Sequence, residues 1–151
     1  MISARQVHFV EEHWESIANR ALDRIHREIP HSQTLSDRII LDRVEDLFGH
    51  LGDWLATAVP HDWSVYERVG QARAAEHVHL HDLIRMLQVV RQSAVDYLRD
   101  NELFENTVSI RSESELEHNI DRFFDLVIYH VVKGYESELR QMLGGKAAKA
   151  I

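Results

Sequence analysis

Apolar residues recur every three or four positions along most of the chain, while alternation of Val, Ile or Thr with polar residues is nearly absent. A period near 3.6 marks amphipathic helices, whereas a period of two would mark half-buried strands. The first stripe, Val7, Val10, Trp14, Ile17, Ala21 and Ile25, predicts a helix that begins near Ser3, whose hydroxyl suits an N-cap. Pro30 and the polar run His31-Ser32-Gln33-Thr34 end it, because proline removes a donor and clashes with the preceding turn. Ser36-Asp37 then opens a second helix with Ile40, Val44, Leu47, Leu51, Trp54 and Leu55 on one side. Gly49 and Gly52 interrupt this pattern, each at a propensity cost of about 1 kcal/mol, and their pairing points to a close helix crossing or a kink.

After Val59-Pro60-His61-Asp62, a shorter third helix is expected over 65–76 and a fourth over 80–99, with Leu83, Ile84, Leu87, Val90, Val95 and Leu98 buried. The polar stretch 100–111 reads as a connection. Ser112 and Glu115 have the Ser-x-x-Glu form of a capping box, which places the start of a long last helix near 113. That helix, running to about 142, carries two apolar stripes. One is Leu116, Ile120, Phe123, Val127 and Val131, and the other is Phe124, Ile128, Tyr135, Leu139 and Met142. A helix apolar on two sides either passes through the middle of its own bundle or buries one side against another chain, and the second option is expected for its C-terminal half. Gly144-Gly145 is expected to stop it in the manner of a C-terminal cap. The fold class is therefore all-α, a bundle of about five helices with a long C-terminal helix, occupying residues 1–143. Residues 144–151 form a tail or the start of a linker.

Composition narrows the function. With 151 residues, 44% of them hydrophobic, one domain with a sizeable core is the default. Cysteine is absent, which removes thiol catalysis and thiolate metal sites. Acidic residues outnumber basic ones by 25 to 17, which argues against nucleic acid or an anionic membrane surface as partner. No apolar run is long enough to span a bilayer and no signal-peptide core is present, so a cytoplasmic protein is expected. The unusual count is 11 histidines: protonating all of them would move the formal charge from −8 to +3, enough latent charge for a pH response or for metal or haem binding.

The segment Gly70-Gln71-Ala72-Arg73-Ala74-Ala75-Glu76-His77-Val78-His79-Leu80-His81-Asp82-Leu83-Ile84, with Arg91 downstream, resembles the signature of the RsbT co-antagonist N-terminal domain family (RsbRD_N). In that pattern a helix with Gly-x-x-Arg-Ala leads into a Gly-Val-Pro-Leu-like turn and then a helix with paired apolar residues and an arginine. Gly70, Arg73, Val78, Leu80, Leu83, Ile84 and Arg91 match it, and the last helix, with Phe123, Phe124 and Tyr135-Glu136-Ser137-Glu138, is similar to the family's closing helix. His77 stands where the family usually has glycine, His79 where it often has proline, and Leu87 where an aromatic is common. The resemblance implies a helical, non-catalytic, commonly dimeric input or partner-binding module of a bacterial signalling protein. Its expected downstream neighbours are a stressosome STAS domain, a histidine kinase core or another regulatory output.

The histidines supply the candidate chemistry. His77, His79 and His81 cluster at the third connection. The spacing of four between His77 and His81 suits a metal only on one continuous helix, and here the pair straddles a turn, so a solvated polar turn is the simpler reading. His8 and Glu12 have one element of the spacing found in di-iron bundles, without matching elements on facing helices. His130 lies between Val127 and Val131, with Gly134 one turn on. That arrangement leaves room for haem or, more simply, describes a core histidine hydrogen-bonded to a carbonyl or a partner chain. Arg73, Arg85 and Arg91, with Glu76 and Asp82, form a candidate patch for an anionic ligand or partner. Candidate ligand- or partner-binding residues are thus Arg73, His77, His79, His81, Arg91 and His130. No cofactor is assigned, with haem or a divalent metal as the alternative. No nucleophile–base order, phosphate loop or paired-carboxylate setting points to an enzyme.

Overall fold

The computed structural model describes residues 4–30, 35–56, 61–100 and 107–150, with side chains from 6 onward and through 144 of the last helix, where they resume at 114. Five helices follow one another: α1 (Ala4–Glu28), α2 (Asp37–Ala56), α3 (Ser64–Ala75), α4 (Leu80–Asp100) and α5 (Thr107–Ala150). No strand occurs among the described residues. Helix α1 packs on α2 and α4, and α5 packs on α3, α4 and α2, so α5 runs through the middle of the assembly.

The predicted stripes are the buried faces. Helix α1 buries Val10, Ile17, Ala21 and Ile25, together with Phe9, Ala18 and Leu22, which widen the stripe. The predicted cap of α2 is present: Ser36 Oγ accepts from the backbone N–H of Ile39 at 3.2 Å, satisfying one of the free donors of the first turn. Helix α3 is opened by Asp62, whose carboxylate accepts from the backbone N–H and the hydroxyl of Ser64. These hydrogen bonds hold the Asp62 carboxyl below its usual pKa. The Ser3 cap of α1 and the connection over 101–106 lie outside the described residues.

Three local expectations are corrected. The long helix does not begin at the Ser112 capping box but at Thr107, which puts Ser112 inside it. Nor does Gly144-Gly145 stop it, for α5 continues through both glycines to Ala150. A glycine costs a helix about 1 kcal/mol but ends one only when the backbone turns left-handed, and Lys146-Ala147-Ala148-Lys149-Ala150 returns at once to good helix formers. Gly49 and Gly52 mark no crossing among the described residues either, since an added Cβ at either would meet nothing there within 4 Å beyond its own helix.

The doubled stripe of α5 has a divided fate. Leu116, Ile120, Phe123, Val127 and Val131 are all buried, and Phe124 and Tyr135 of the second stripe are buried with them. The middle of α5 thus takes the first option, passing through its own bundle. Phe123 and Phe124 are completely enclosed, with their rings 5.5 Å apart and nearly perpendicular. Removing either ring would cost about 3–5 kcal/mol. Further along, Leu139 and Leu143 remain 39% and 64% exposed.

Candidate functional site

The site is built where α3 meets α5 and turns into α4. Gly70 and Gly134 face each other's helices at backbone contact: a Cβ on Gly70 would fall inside the Val131 carbonyl and 2.8 Å from the Tyr135 nitrogen, and one on Gly134 would fall inside the backbone of Glu67. Two helices can approach this closely only where neither carries a side chain at the crossing. Polar contacts fix the pair on either side. His130 Nδ1 lies 2.9 Å from Glu67 Oε2 and Lys133 Nζ lies 3.7 Å from Glu67 Oε1. The His130 ring also stacks on Trp63, with centroids 5.6 Å apart and planes 8° from parallel.

This corrects the reading of Gly134. The space it leaves beside His130 is filled by the backbone of α3, so it offers no slot for a flat ligand. His130 is half-buried and hydrogen-bonded, but its partner is the side-chain carboxylate of Glu67 on α3, where the simpler reading expected a carbonyl or a partner chain.

The turn from α3 to α4 is a Schellman motif. The N–H of Val78 donates to the Arg73 carbonyl and that of His77 to the Ala74 carbonyl, each at 3.0 Å, which satisfies the last carbonyls of α3. The motif places its C′ residue in the left-handed region, and His77 has φ 62°. That is the physical reason glycine suits this position; histidine enters the region more readily than most residues. Tyr135 of α5 donates its hydroxyl to the Val78 carbonyl, so the turn is tied to the central helix.

Behind the turn lies a cleft of about 490 Å³ bounded by residues of all five helices, within the size range of small-molecule sites. Its walls are apolar, with Ile25, Ile40, Val44, Leu87, Val127 and Val131 among them. Of the candidate residues predicted from sequence, Arg73, His77 and His79 border the cleft, and His81, Arg91 and His130 do not. The predicted arginine patch is dispersed: Arg85 pairs with Glu28 of α1 at 3.2 Å and Arg91 approaches Asp125 of α5 at 3.9 Å. His79 and His81 stack on each other at 5.5 Å, and His81 lies 3.4 Å from Asp82. Among the described residues, no three His, Cys, Asp or Glu side chains gather as metal ligands.

Sequence reasoning missed Arg43 and Tyr66, which also border the cleft. Burial and the neighbouring Arg73 guanidinium push Arg43 below the usual arginine pKa, against the pull of Glu76. Burial, helped by Asp46, pushes the Tyr66 phenol well up, so it stays protonated. A signal for Arg43 was present: it falls between Ile40, Val44 and Leu47 on the apolar side of its helix. Beside the cleft, His61 lies against Trp63 and Tyr66, and its pKa is lowered by burial and by His50, opposed by Asp53 and Asp62. It belongs to an aromatic cluster.

No helix is long and apolar enough to cross a membrane among the described residues. No curated protein and no solved structure matches the chain. The model of the RsbRD_N family, described as the RsbT co-antagonist protein rsbRD N-terminal domain, matches residues 15–149, nearly the whole length, and includes the α3–α4 turn with its left-handed position and the whole α3–α5 crossing. The chain belongs to the RsbT co-antagonist protein rsbRD N-terminal domain family.

Proposed function

We propose that the chain is the sensory or signal-relay input domain of a bacterial signalling protein, either a stressosome-type regulator or a sensor histidine kinase, acting in the cytoplasm as a homodimer without catalysis of its own. Family membership supports the regulatory role. The observation that carries the mechanism is the course of α5: Val127 and Val131 wall the cleft, Gly134 is locked to α3, and the same helix continues to Ala150. Whatever fills the cleft or moves the α3–α4 turn therefore acts directly on the helix that leads away. The signal is a shift between two packings, biased by the difference in what each packing binds. Exposed Leu139 and Leu143, spaced four apart on one side of α5, are the surface proposed for the dimer, with residues 144–151 as the linker.

The test is a phase insertion. Two alanines placed after Leu143, in a fusion of this chain to a histidine kinase core, rotate that core by roughly 200° about the helix axis. A helical relay predicts altered kinase output, with output returning toward the starting level when seven residues are inserted. Unchanged output with two residues would overturn it. Sedimentation tests the dimer: Leu143→Asp is expected to yield monomers, and a wild-type chain monomeric at all concentrations would refute that part.

A further inference from the structure

The polar atoms around the cleft share one character. Tyr66 is only 4% exposed, and its hydroxyl is buried with no hydrogen-bond partner among the described residues. Arg73 gives Nη1 to Glu76 at 3.0 Å, but its Nε is buried and unpaired. Arg43 is half-buried and makes no hydrogen bond or ion pair with any described residue, although it lies close enough to Arg73 to be repelled by it. All three groups are donors. A buried donor left unmade costs about 1–3 kcal/mol, and more when charged, so the buried Tyr66 hydroxyl and Arg73 Nε, with the half-buried Arg43 guanidinium beside them, call for an acceptor at the cleft.

The acids that border the cleft do not supply it. Glu76 is taken up by Arg73. Asp46 is exposed, and Asp82 sits in the first turn of α4 beside His81. Of the histidines there, His50 packs edge-on against Tyr66, while His77 and His79 are exposed at the turn. The cleft thus sets apolar walls beside two buried unmade donors and the two guanidiniums of Arg43 and Arg73, whose planar fork matches a carboxylate.

We propose that the cleft binds an amphipathic monocarboxylate of medium chain length, its carboxylate held by Arg43 and Arg73 and its hydrocarbon chain lying along Val44, Leu87, Val127 and Val131. This deepens the sensory reading and rests on it only for its signalling consequence. The carboxylate neutralises two guanidiniums that repel each other, and the chain fills apolar volume against α5, so occupancy favours the packing in which the cleft is closed around it.

Dodecanoate, dodecanol and acetate, titrated below micelle formation into the whole chain by calorimetry, separate the contributions. Dodecanoate is expected to bind saturably and at least about tenfold more tightly than dodecanol, the worth of one charge-assisted hydrogen bond, and acetate is expected not to bind at the same concentrations. Arg43→Gln should weaken dodecanoate toward the affinity of dodecanol, with Arg73 retaining part of the difference, and leave dodecanol unchanged, whereas Arg91→Gln, outside the cleft, should alter neither. Equal affinity for dodecanol and dodecanoate, or no binding of dodecanoate, would overturn the proposal in the wild-type chain alone, without dependence on any variant folding. So would an Arg43→Gln chain that melts like wild type and binds dodecanoate undiminished. The phase insertion reads out separately: failure to bind with insertion-sensitive output removes only the ligand class, and binding with insertion-insensitive output removes only the relay.

Discussion

Two of the glycine pairs in this molecule do opposite things. Gly49 and Gly52 are three apart on α2, which puts them near one another on the helix surface, yet among the described residues nothing beyond their own helix stands within 4 Å of a Cβ added to either. Gly70 and Gly134 are far apart in sequence and on different helices, and there the backbones of α3 and α5 touch. A glycine in a helix has one intrinsic effect, the loss of about 1 kcal/mol of propensity relative to alanine. Its structural meaning comes entirely from what lies opposite. The α2 pair is a local weakness, whereas the α3–α5 pair lets two helices meet at a distance no side chain would permit, beside the cleft and the turn on which the proposed function depends.

The sharpest way to break this comparison is to give both pairs the same methyl group. At Gly134 the methyl collides with the backbone of Glu67, and backbone cannot rotate away as a side chain can. The helices must separate, loosening the His130–Glu67 contact and the Tyr135–Val78 tie. Overpacking usually costs about 1–3 kcal/mol and occasionally more. For Gly134→Ala a net loss of about 3 kcal/mol is expected in urea unfolding, which in a chain of this size lowers Tm by roughly 10 °C. Gly70→Ala should match it, because its methyl meets the Val131 carbonyl. A loss below about 0.5 kcal/mol in both variants would mean the crossing is looser than described.

This difference also marks what could be read in the sequence. Helix positions and most of the core were legible, because burial writes a 3.6-residue period into each segment separately, and Ser36 was legible because a cap has local chemistry. What two helices do to each other is not written in either one. Gly134 read as space because its partner on α3 lies more than sixty residues earlier. Tyr66 and Arg43 read as ordinary helix residues because the cleft that joins them exists only after α2 and α3 are packed. The start and end of α5 were misplaced for a related reason: a capping box and a glycine pair are signals of local preference, and a helix held in the middle of a bundle by Phe123, Phe124 and Val127 overrides them.

A third position sharpens the comparison from the other side, since there glycine is called for and histidine stands instead. His77 holds φ 62°, which costs a residue with a Cβ about 1–2 kcal/mol, offset in part because glycine loses more freedom on folding. His77→Gly is therefore expected to raise stability by roughly 1 kcal/mol. Both hydrogen bonds of the Schellman motif run through the backbone and survive the change. Hydrogen exchange at the amide of Val78 should slow by a comparable factor if opening of the turn limits it. A destabilised variant would show that the ring at position 77 makes a contribution greater than the strain of its backbone.

The smallest effect is expected at the pair that looked most like a crossing. Gly49→Ala places a methyl in open space on an exposed position of α2, so nothing opposes the gain in helix propensity, and a rise of about 0.5–1 kcal/mol should be measured in urea unfolding. Gly52 is the stricter test, because it is buried and burial alone would have suggested a position with no room. The geometry says otherwise: a methyl there meets no described atom within 4 Å beyond its own helix, so Gly52→Ala should gain the same helix propensity as Gly49→Ala. Two glycines, one exposed and one buried, are then expected to respond alike, while Gly134, buried like Gly52, responds with the opposite sign. What decides the sign is the distance to the facing backbone, and degree of burial does not.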